Sequence, residues 1–306
     1  MNLPPHLDRL LAASPAGMPV LIAGPTASGK SDLALAIALR HGGAVVNADA
    51  LQVYDCWEIL TARPDAAALA AAAHLLYGHV GRNTPYSVGH WLREVAPLLA
   101  AARGGTGPRP VITGGTGLYF TALTQGLAEI PPVPASLRAA SGARAATHGL
   151  AALLEEIDPA TRAGIDLANP ARVRRAWEVQ QATGEGLAAW KARTGAPLLP
   201  LSEAIAVALH AGRDWLEARI TARLERMIDA GALEEVRANL PRWAPGAPWT
   251  RAIGAAEFAA HLRGECTLQA AFEAARIASR RYAKRQRSWI RSRVGGWHRL
   301  DLPGSG

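Results

Sequence analysis

Gly24-Pro25-Thr26-Ala27-Ser28-Gly29-Lys30-Ser31 follows the apolar run Val20-Leu21-Ile22-Ala23 and opens into Asp32-Leu33-Ala34-Leu35-Ala36-Ile37-Ala38-Leu39. Strand, glycine loop, helix is the order a phosphate-binding P-loop requires. The glycines let the backbone turn tightly, so several N–H groups and the positive end of a helix converge on one anion. Lys30 adds a point charge for the terminal phosphate, and the Ser31 hydroxyl stands where it can meet Mg²⁺. At average residue frequencies, four such fixed positions arise by chance in roughly one chain of this length in a hundred. The pattern predicts an α/β fold with a P-loop NTPase-like parallel sheet core.

Outward from the loop, Ala44-Val45-Val46-Asn47-Ala48 reads as a second buried strand with Asp49 at its C-terminal end. Ligands of open parallel sheets sit beyond that end, so Asp49 is a candidate for work beside the loop. A turn or N-cap aspartate is the commoner fate of such a residue, and both roles stay open. Residues 64–75 read as an Ala-rich helix ending at His74, and another helix runs from Tyr86-Ser87-Val88 to about Ala102. Arg109–Thr113 is a third strand. It breaks into Gly114-Gly115-Thr116-Gly117-Leu118-Tyr119, whose glycines permit close approach of the backbone to a ligand. The strand lacks the terminal Asp with which ATP-using P-loop proteins hold their metal.

Pro131-Pro132-Val133-Pro134 marks a change of texture. Residues 1–18 read as a lead-in, 19–126 as the P-loop core and 127–200 as an inserted helical lobe. Residues 201–306 return to the core through a strand at Ala204–Leu209 and end in helices. Within the lobe, Asn169-Pro170-Ala171-Arg172-Val173-Arg174-Arg175 puts proline in the first turn of a helix and three arginines against its macrodipole. A task elsewhere and salt bridges to Glu155-Glu156 are the alternatives. Arg219 and Arg223 share a helix face; they either reach the phosphate site or pair with Glu217, Glu225 and other nearby acids.

The 306 residues are 49% apolar, enough for a sizeable core, and carry a net charge of +8. Between Arg276 and Arg293 stand eight Lys or Arg and no Asp or Glu. Arg276, Arg280, Lys284, Arg287 and Arg291 step by three or four, a basic stripe along one helix face. Solvated faces usually mix signs, so an unmixed stripe favours a nucleic-acid backbone. Tyr282 and Trp289, seven apart, read as core anchors rather than base-stacking platforms. Cys56 and Cys266 stand far apart, giving neither a disulfide framework nor a zinc motif. No apolar run reaches membrane-spanning length and no leader pattern opens the chain; the expectation is a cytoplasmic protein with no membrane partner.

These blocks in order resemble the bacterial tRNA dimethylallyltransferase family. The resemblance is carried by Gly24–Ser31, Asp49-x-x-Gln52-Val53-Tyr54, Gly114–Tyr119, Arg172-Val173-x-Arg175-Ala176-x-Glu178-Val179, Arg251-Ala252-Ile253-Gly254 and Tyr282-Ala283-Lys284-Arg285-Gln286. It runs from about Val20 to Trp289. It implies transfer of a dimethylallyl group from dimethylallyl pyrophosphate to the N6 amine of the adenosine just 3′ of the tRNA anticodon, by a monomer with Mg²⁺. Gly24, Pro25, Thr26, Ala27, Ser28, Gly29, Lys30, Ser31 and Arg223 would then hold pyrophosphate, Ser31 would meet the metal, and Asp49 would take the N6 proton. Thr26 would reach the leaving oxygen, and Thr116 and Arg138 would line the channel where base meets donor. tRNA contacts fall by the same correspondence on Asp49, Ala50, Leu51 and Gln52; on Ala171, Arg172, Val173, Arg174 and Arg175; and on Arg251, Ala252, Ile253, Gly254, Ala255 and Ala256. Lys284 and Arg287 of the stripe would grip the backbone of the anticodon stem-loop.

The chain departs from the family pattern in three places. Ala50 replaces Ser. Asp55-Cys56-Trp57-Glu58-Ile59-Leu60-Thr61-Ala62-Arg63 replaces a segment close to Arg-Gly-Met-Asp-Ile-Gly-Thr-Ala-Lys, and Ala255 replaces Tyr. Two other readings stand beside the transferase: an ATP-binding kinase or ATPase acting on a nucleotide or RNA, which would consume ATP, and an RNA-binding homologue without catalysis, which would bind tRNA without modifying it.

Overall fold

The computed structural model describes residues 3–304. In chain order its first elements are α1 (Pro5–Ala13), β1 (Val20–Ala23), α2 (Lys30–His41), β2 (Ala44–Asn47), α3 (Ala66–Ala71), β3 (His74–Leu75), α4 (Val88–Arg103), β4 (Pro110–Gly114) and α5 (Gly117–Gln125). A helical series follows: α6 (Ala135–His148), α7 (Ala151–Leu154), α8 (Pro159–Ala163), α9 (Pro170–Thr183) and α10 (Leu187–Ala192). The chain closes with β5 (Ile205–His210), α11 (Arg213–Asp229), α12 (Ala232–Asn239), α13 (Ala255–Leu262), α14 (Leu268–Arg293) and β6 (His298–Asp301).

Six strands form one parallel sheet in the order β3-β2-β4-β1-β5-β6. Every residue of β1, β2 and β4 is buried, as strands covered on both faces must be. β1 is central, with Val20 level with Val111 on one side and Ile205 on the other. The loop after β1 therefore emerges at the carboxyl edge of the sheet, between the loops that follow β4 and β5. That edge is where parallel sheets carry ligands.

Three segments differ from the sequence expectations. The Ala-rich helix stops at Ala71, and His74–Leu75 joins the sheet beside Val45–Val46. Alanine favours helix, but α3 has no buried residue to hold a longer one, whereas the edge of β2 gains ladder bonds from a partner. The lead-in contains α1, which inserts Leu7 and Leu11 into the cluster around Val20, Ile22 and Val207. β6 went unseen because His298-Arg299-Leu300-Asp301 has no apolar run; it is an edge strand paired with β5.

The chain divides into two compact units, Met1–Thr124 with Leu198–Gly306, and Gln125–Pro197. The second is helical and has its own core of Leu153, Ile157, Val173, Ala176 and Trp177. Pro170 opens α9, and the Asn169 side chain accepts from the amides of Ala171 and Arg172. Among the described residues no helix is long and apolar enough to cross a membrane.

Candidate active site

Gly29 takes a left-handed φ of 85° at the N-cap of α2, and Ala27 one of 62°. For alanine that conformation costs about 1 kcal/mol, so the surroundings must hold it. Arg219 Nε donates to the Ala27 carbonyl at 2.7 Å, and Arg223 Nη1 donates to Thr26 Oγ1 at 3.1 Å. Both arginines of α11 thus reach the loop; Glu217 pairs instead with Arg276 and Arg280 of α14. From the other side, Gln286 of α14 accepts from the Thr26 amide at 2.8 Å and donates to the Gly115 carbonyl at 3.0 Å. The first amide of α2 to meet a backbone carbonyl is that of Leu33. Those of Lys30, Ser31 and Asp32 remain at the helix N-terminus for an anion.

Burial pulls the Lys30 ammonium down to about 8; nearby Asp49 opposes the shift and Arg223 adds to it. Burial also lowers Arg223, against the pull of Asp49. Two half-buried cations share one carboxylate, an excess of positive charge that an anion in the loop would neutralise.

Asp49 takes the turn role that the sequence left open, at the carboxyl edge of the sheet beside the loop. Its Oδ1 accepts from the Leu51 amide at 2.9 Å, an Asx turn, while Oδ2 makes no hydrogen bond among the described residues. Asn47, fully buried, fixes the backbone: Oδ1 accepts from the Asp49 amide at 2.8 Å and Nδ2 donates to the carbonyls of Asp49 and Leu76. Thr116 Oγ1 accepts from the Ala50 amide at 3.0 Å, joining the two strand-end loops. Gln52 donates to the carbonyls of Thr61 and Ala62.

A small cavity of about 70 Å³ carries the polar side chains of Thr26, Asp49, Thr61, Arg223, Ser279 and Tyr282 in its lining. Leu51, Leu60, Ile220, Leu224, Met227 and Ile253 form its apolar walls. An anion seat, a carboxylate with a free oxygen and an apolar wall thus share one space.

In the second glycine loop the close approach is made by α14. A Cβ on Gly115 would lie 2.0 Å from Gln286 Nε2, and one on Gly117 would lie 2.5 Å from the Trp289 ring. The loop is bare so that α14 can seat against it. Trp289 also stacks on Phe120 and meets Trp297 edge-on, a core anchor as expected.

The other sequence-derived residues distribute as follows. Arg138 and Ala171–Arg175 belong to the helical unit. There Arg174 donates to the Arg138 carbonyl and to Ser141 Oγ, and lies 3.8 Å from Glu178. Burial lowers Arg175, with the Arg138 charge adding to the effect. Glu156 bonds Arg144 and Trp177 rather than the α9 arginines. Val173, Ala252, Gly254 and Ala255 are buried, Ile253 lines the small cavity, and Arg172, Arg251 and Ala256 are exposed.

On α14 the stripe is less unmixed than its sequence. Arg276 bonds Glu273 and Glu217, and Arg280 bonds Glu217, so α11 and the preceding turn supply counter-charge. Lys284, Arg287 and Arg291, which have no acidic partner among the described residues, line a groove of about 510 Å³ together with Arg213, Arg281 and the Arg280–Glu217 pair. Gln286, Leu60 and Met227 were not assigned roles from sequence. Gln286 lay in plain view inside the Lys284-Arg285-Gln286 motif; Leu60 and Met227 gave no signal beyond being apolar.

For a metal, the exposed Ser31 hydroxyl has no partner among the described residues. They hold no cluster of three His, Cys, Asp or Glu. A magnesium ion held mainly by phosphate oxygens and water, with one hydroxyl, fits such a site.

Loop, sheet edge and converging cations define a P-loop-type α/β protein. The family described as IPP transferase matches residues 52–293, and that described as isopentenyl transferase matches residues 18–76. A tRNA dimethylallyltransferase of Cereibacter sphaeroides (strain KD131) is 58% identical over 303 residues, covering 99% of this chain and 95% of its own. One from Dinoroseobacter shibae is 58% identical over 297 residues, covering 96% and 98%. Among solved structures, the tRNA isopentenylpyrophosphate transferase of Bacillus halodurans matches with a TM-score of 0.65 at 29% identity, over 92% of this chain and 89% of its own. A eukaryotic dimethylallyltransferase acting on tRNA shares the fold, with a TM-score of 0.77 at 22% identity over 92% and 73%. The chain belongs to the IPP transferase family.

Proposed function

We propose that this protein transfers a dimethylallyl group from dimethylallyl pyrophosphate to the N6 amine of the adenosine 3′-adjacent to the tRNA anticodon, releasing pyrophosphate. The observation that carries this is the shared cavity: Thr26 and Arg223 of the phosphate seat, the Asp49 carboxylate, and an apolar wall that suits a short hydrocarbon. Relatives 58% identical over nearly the whole chain bear the name of this activity.

In this mechanism the pyrophosphate lies against the amides at the start of α2, with Lys30 and Arg223 around it. As the allylic C1–O bond breaks, its electron pair leaves with the pyrophosphate, and these fixed charges stabilise the oxyanion where it develops. The N6 lone pair forms the new C1–N bond, and Asp49 Oδ2 accepts the proton that N6 loses. Thr26 Oγ1, held by Arg223, donates to the leaving oxygen. Mg²⁺ on Ser31 and the pyrophosphate would add Lewis-acid charge neutralisation. The adenine must leave its stack to present N6, past Thr116.

The helical unit Gln125–Pro197, through Arg138 and Arg172–Arg175, and the groove beside Lys284 and Arg287 are assigned to the anticodon stem-loop. The protein is taken to act as a monomer in the cytoplasm. The test is incubation with Mg²⁺, labelled dimethylallyl pyrophosphate and an unmodified tRNA transcript. Label is expected on the adenosine next to the anticodon, and Asp49→Asn should abolish transfer while still binding inorganic pyrophosphate. Full transfer by Asp49→Asn removes the catalytic assignment; tight tRNA binding without transfer makes this an RNA-binding protein.

A further inference from the structure

The small cavity is lined along one side by α11. On α11, Ile220, Arg223, Leu224 and Met227 occupy positions i, i+3, i+4 and i+7, one face of the helix. Arg223 reaches the Thr26 hydroxyl and so marks the level of the leaving group. Met227 lies one turn further along, a rise of about 6 Å, close to the length of an extended five-carbon chain and well short of a ten-carbon one. Side chains lean toward the helix N-terminus, which keeps the Arg223 head near the loop and brings Met227 across the far end. Both Met227 and Leu60 line the cavity, at 7% and 4% exposure.

Leu60 is closely packed. Gly254, at a φ of 92°, leaves room for it: a Cβ there would stand 2.9 Å from Leu60 Cδ1 and 3.1 Å from the Phe258 ring. The Leu60 amide donates to Glu235 at 2.8 Å, so its backbone is fixed too. Leu60 stands where the family pattern has glycine, and Ala255 where it has tyrosine. Both belong to one buried cluster with Met227 and Phe258. One position gained volume and its neighbour lost it, an exchange that keeps a core packed.

We propose that Leu60 and Met227 form a floor that restricts the prenyl donor to five carbons. The inference rests on the proposed reaction and names the residues that set its donor class. A shorter side chain at either position opens the far end toward the α12–α13 side of the cluster, and a ten-carbon allylic pyrophosphate then fits.

The test compares dimethylallyl and geranyl pyrophosphate as donors to the same tRNA transcript, using the wild type, Leu60→Ala and Met227→Ala. The wild type should discriminate strongly against the geranyl donor. Each variant should raise the geranyl-to-dimethylallyl ratio of kcat/KM by about tenfold or more, the scale at which apolar pockets discriminate chain length. Melting curves and inorganic pyrophosphate binding report whether each variant is folded, and Met227→Ala serves if Leu60→Ala is not. Wild-type transfer from both donors at similar rates, or an unchanged ratio in folded variants, overturns the floor. Calorimetric binding of the two thiolodiphosphate analogues, whose sulfur link resists cleavage, reads length selectivity without transfer. If wild-type protein transfers neither group yet the variants alone bind the geranyl analogue, the floor stands and the reaction assignment falls. If no form separates the two analogues, the floor falls.

Discussion

Lys30 is the residue whose ionisation should bear most directly on pyrophosphate binding under the proposed function. Its folded pKa of about 8 lies below the ordinary 10.5 because burial disfavours the ammonium. The folded protein therefore releases this proton first. Between pH 8 and 10.5 the ligand-free fold gains stability as pH rises, while the anion seat loses the Lys30 charge and keeps that of Arg223. Inorganic pyrophosphate affinity, read by calorimetry, should fall by about tenfold per pH unit above 8. Lys30→Met should bind weakly at every pH and lack that inflection; an identical profile in both proteins would mean another group titrates. Gln286 makes a different prediction. Gln286→Met keeps the shape but strips partners from the Thr26 amide and the Gly115 carbonyl, at a cost of about 2 kcal/mol in stability. With Thr26 less firmly held, kcat should drop by roughly tenfold or more while KM for tRNA stays level. A rise in KM for tRNA alone would make Gln286 an RNA contact. The positions of Asp49 and Lys30 at the carboxyl edge of the sheet were legible because each follows closely on an apolar strand. Gln286 was not, because its partners lie 260 and 171 residues away.

At the scale of elements, α14 shows how far a charge pattern can be read. The stripe is correct as periodicity, since 26 residues form one helix. Its electrostatics depend on what packs alongside: Glu217 on α11 claims Arg276 and Arg280, and no spacing within α14 could reveal that. The two halves should therefore separate experimentally. Lys284→Ala with Arg287→Ala should weaken tRNA binding and flatten its dependence on salt by about one unit of slope for each phosphate no longer neutralised. Arg276→Ala with Arg280→Ala should lower the melting temperature and leave the slope as it was. Equal slopes in all three proteins would assign the groove to structure. The arginines of α11 were undecided between loop and neighbouring acids for the same reason, and the distances to Ala27 and Thr26 decide it. In the second loop glycine signals close approach without saying what approaches, and a glutamine and a tryptophan stand against Gly115 and Gly117.

Across the whole molecule, the strands with continuous apolar runs were readable from sequence. The two that flank them were not, because edge strands have one neighbour and need little burial. His74–Leu75 looked helical beside so much alanine, and His298–Asp301 looked like a polar tail. The tail is secured to the end of β5, where the Leu302 amide donates to the His210 carbonyl at 2.7 Å and the Gly212 amide to that of Pro303. Leu300 and Leu302 pack on the cluster around Val20. Ending the chain at Gly295 should lower the melting temperature and raise light scattering on storage, with pyrophosphate binding retained below the new transition; unchanged scattering would show that β6 shields nothing. That outcome bears on how the sheet meets its neighbours in a crowded solution. A sheet edge is a template on which a stranger can crystallise, strand by strand. One border here is only two residues wide, and the other displays His298, Arg299 and Asp301. An arriving strand would find too little to hold at one margin and ionic side chains to dehydrate at the other, so the growth of the sheet stops with its own sixth member.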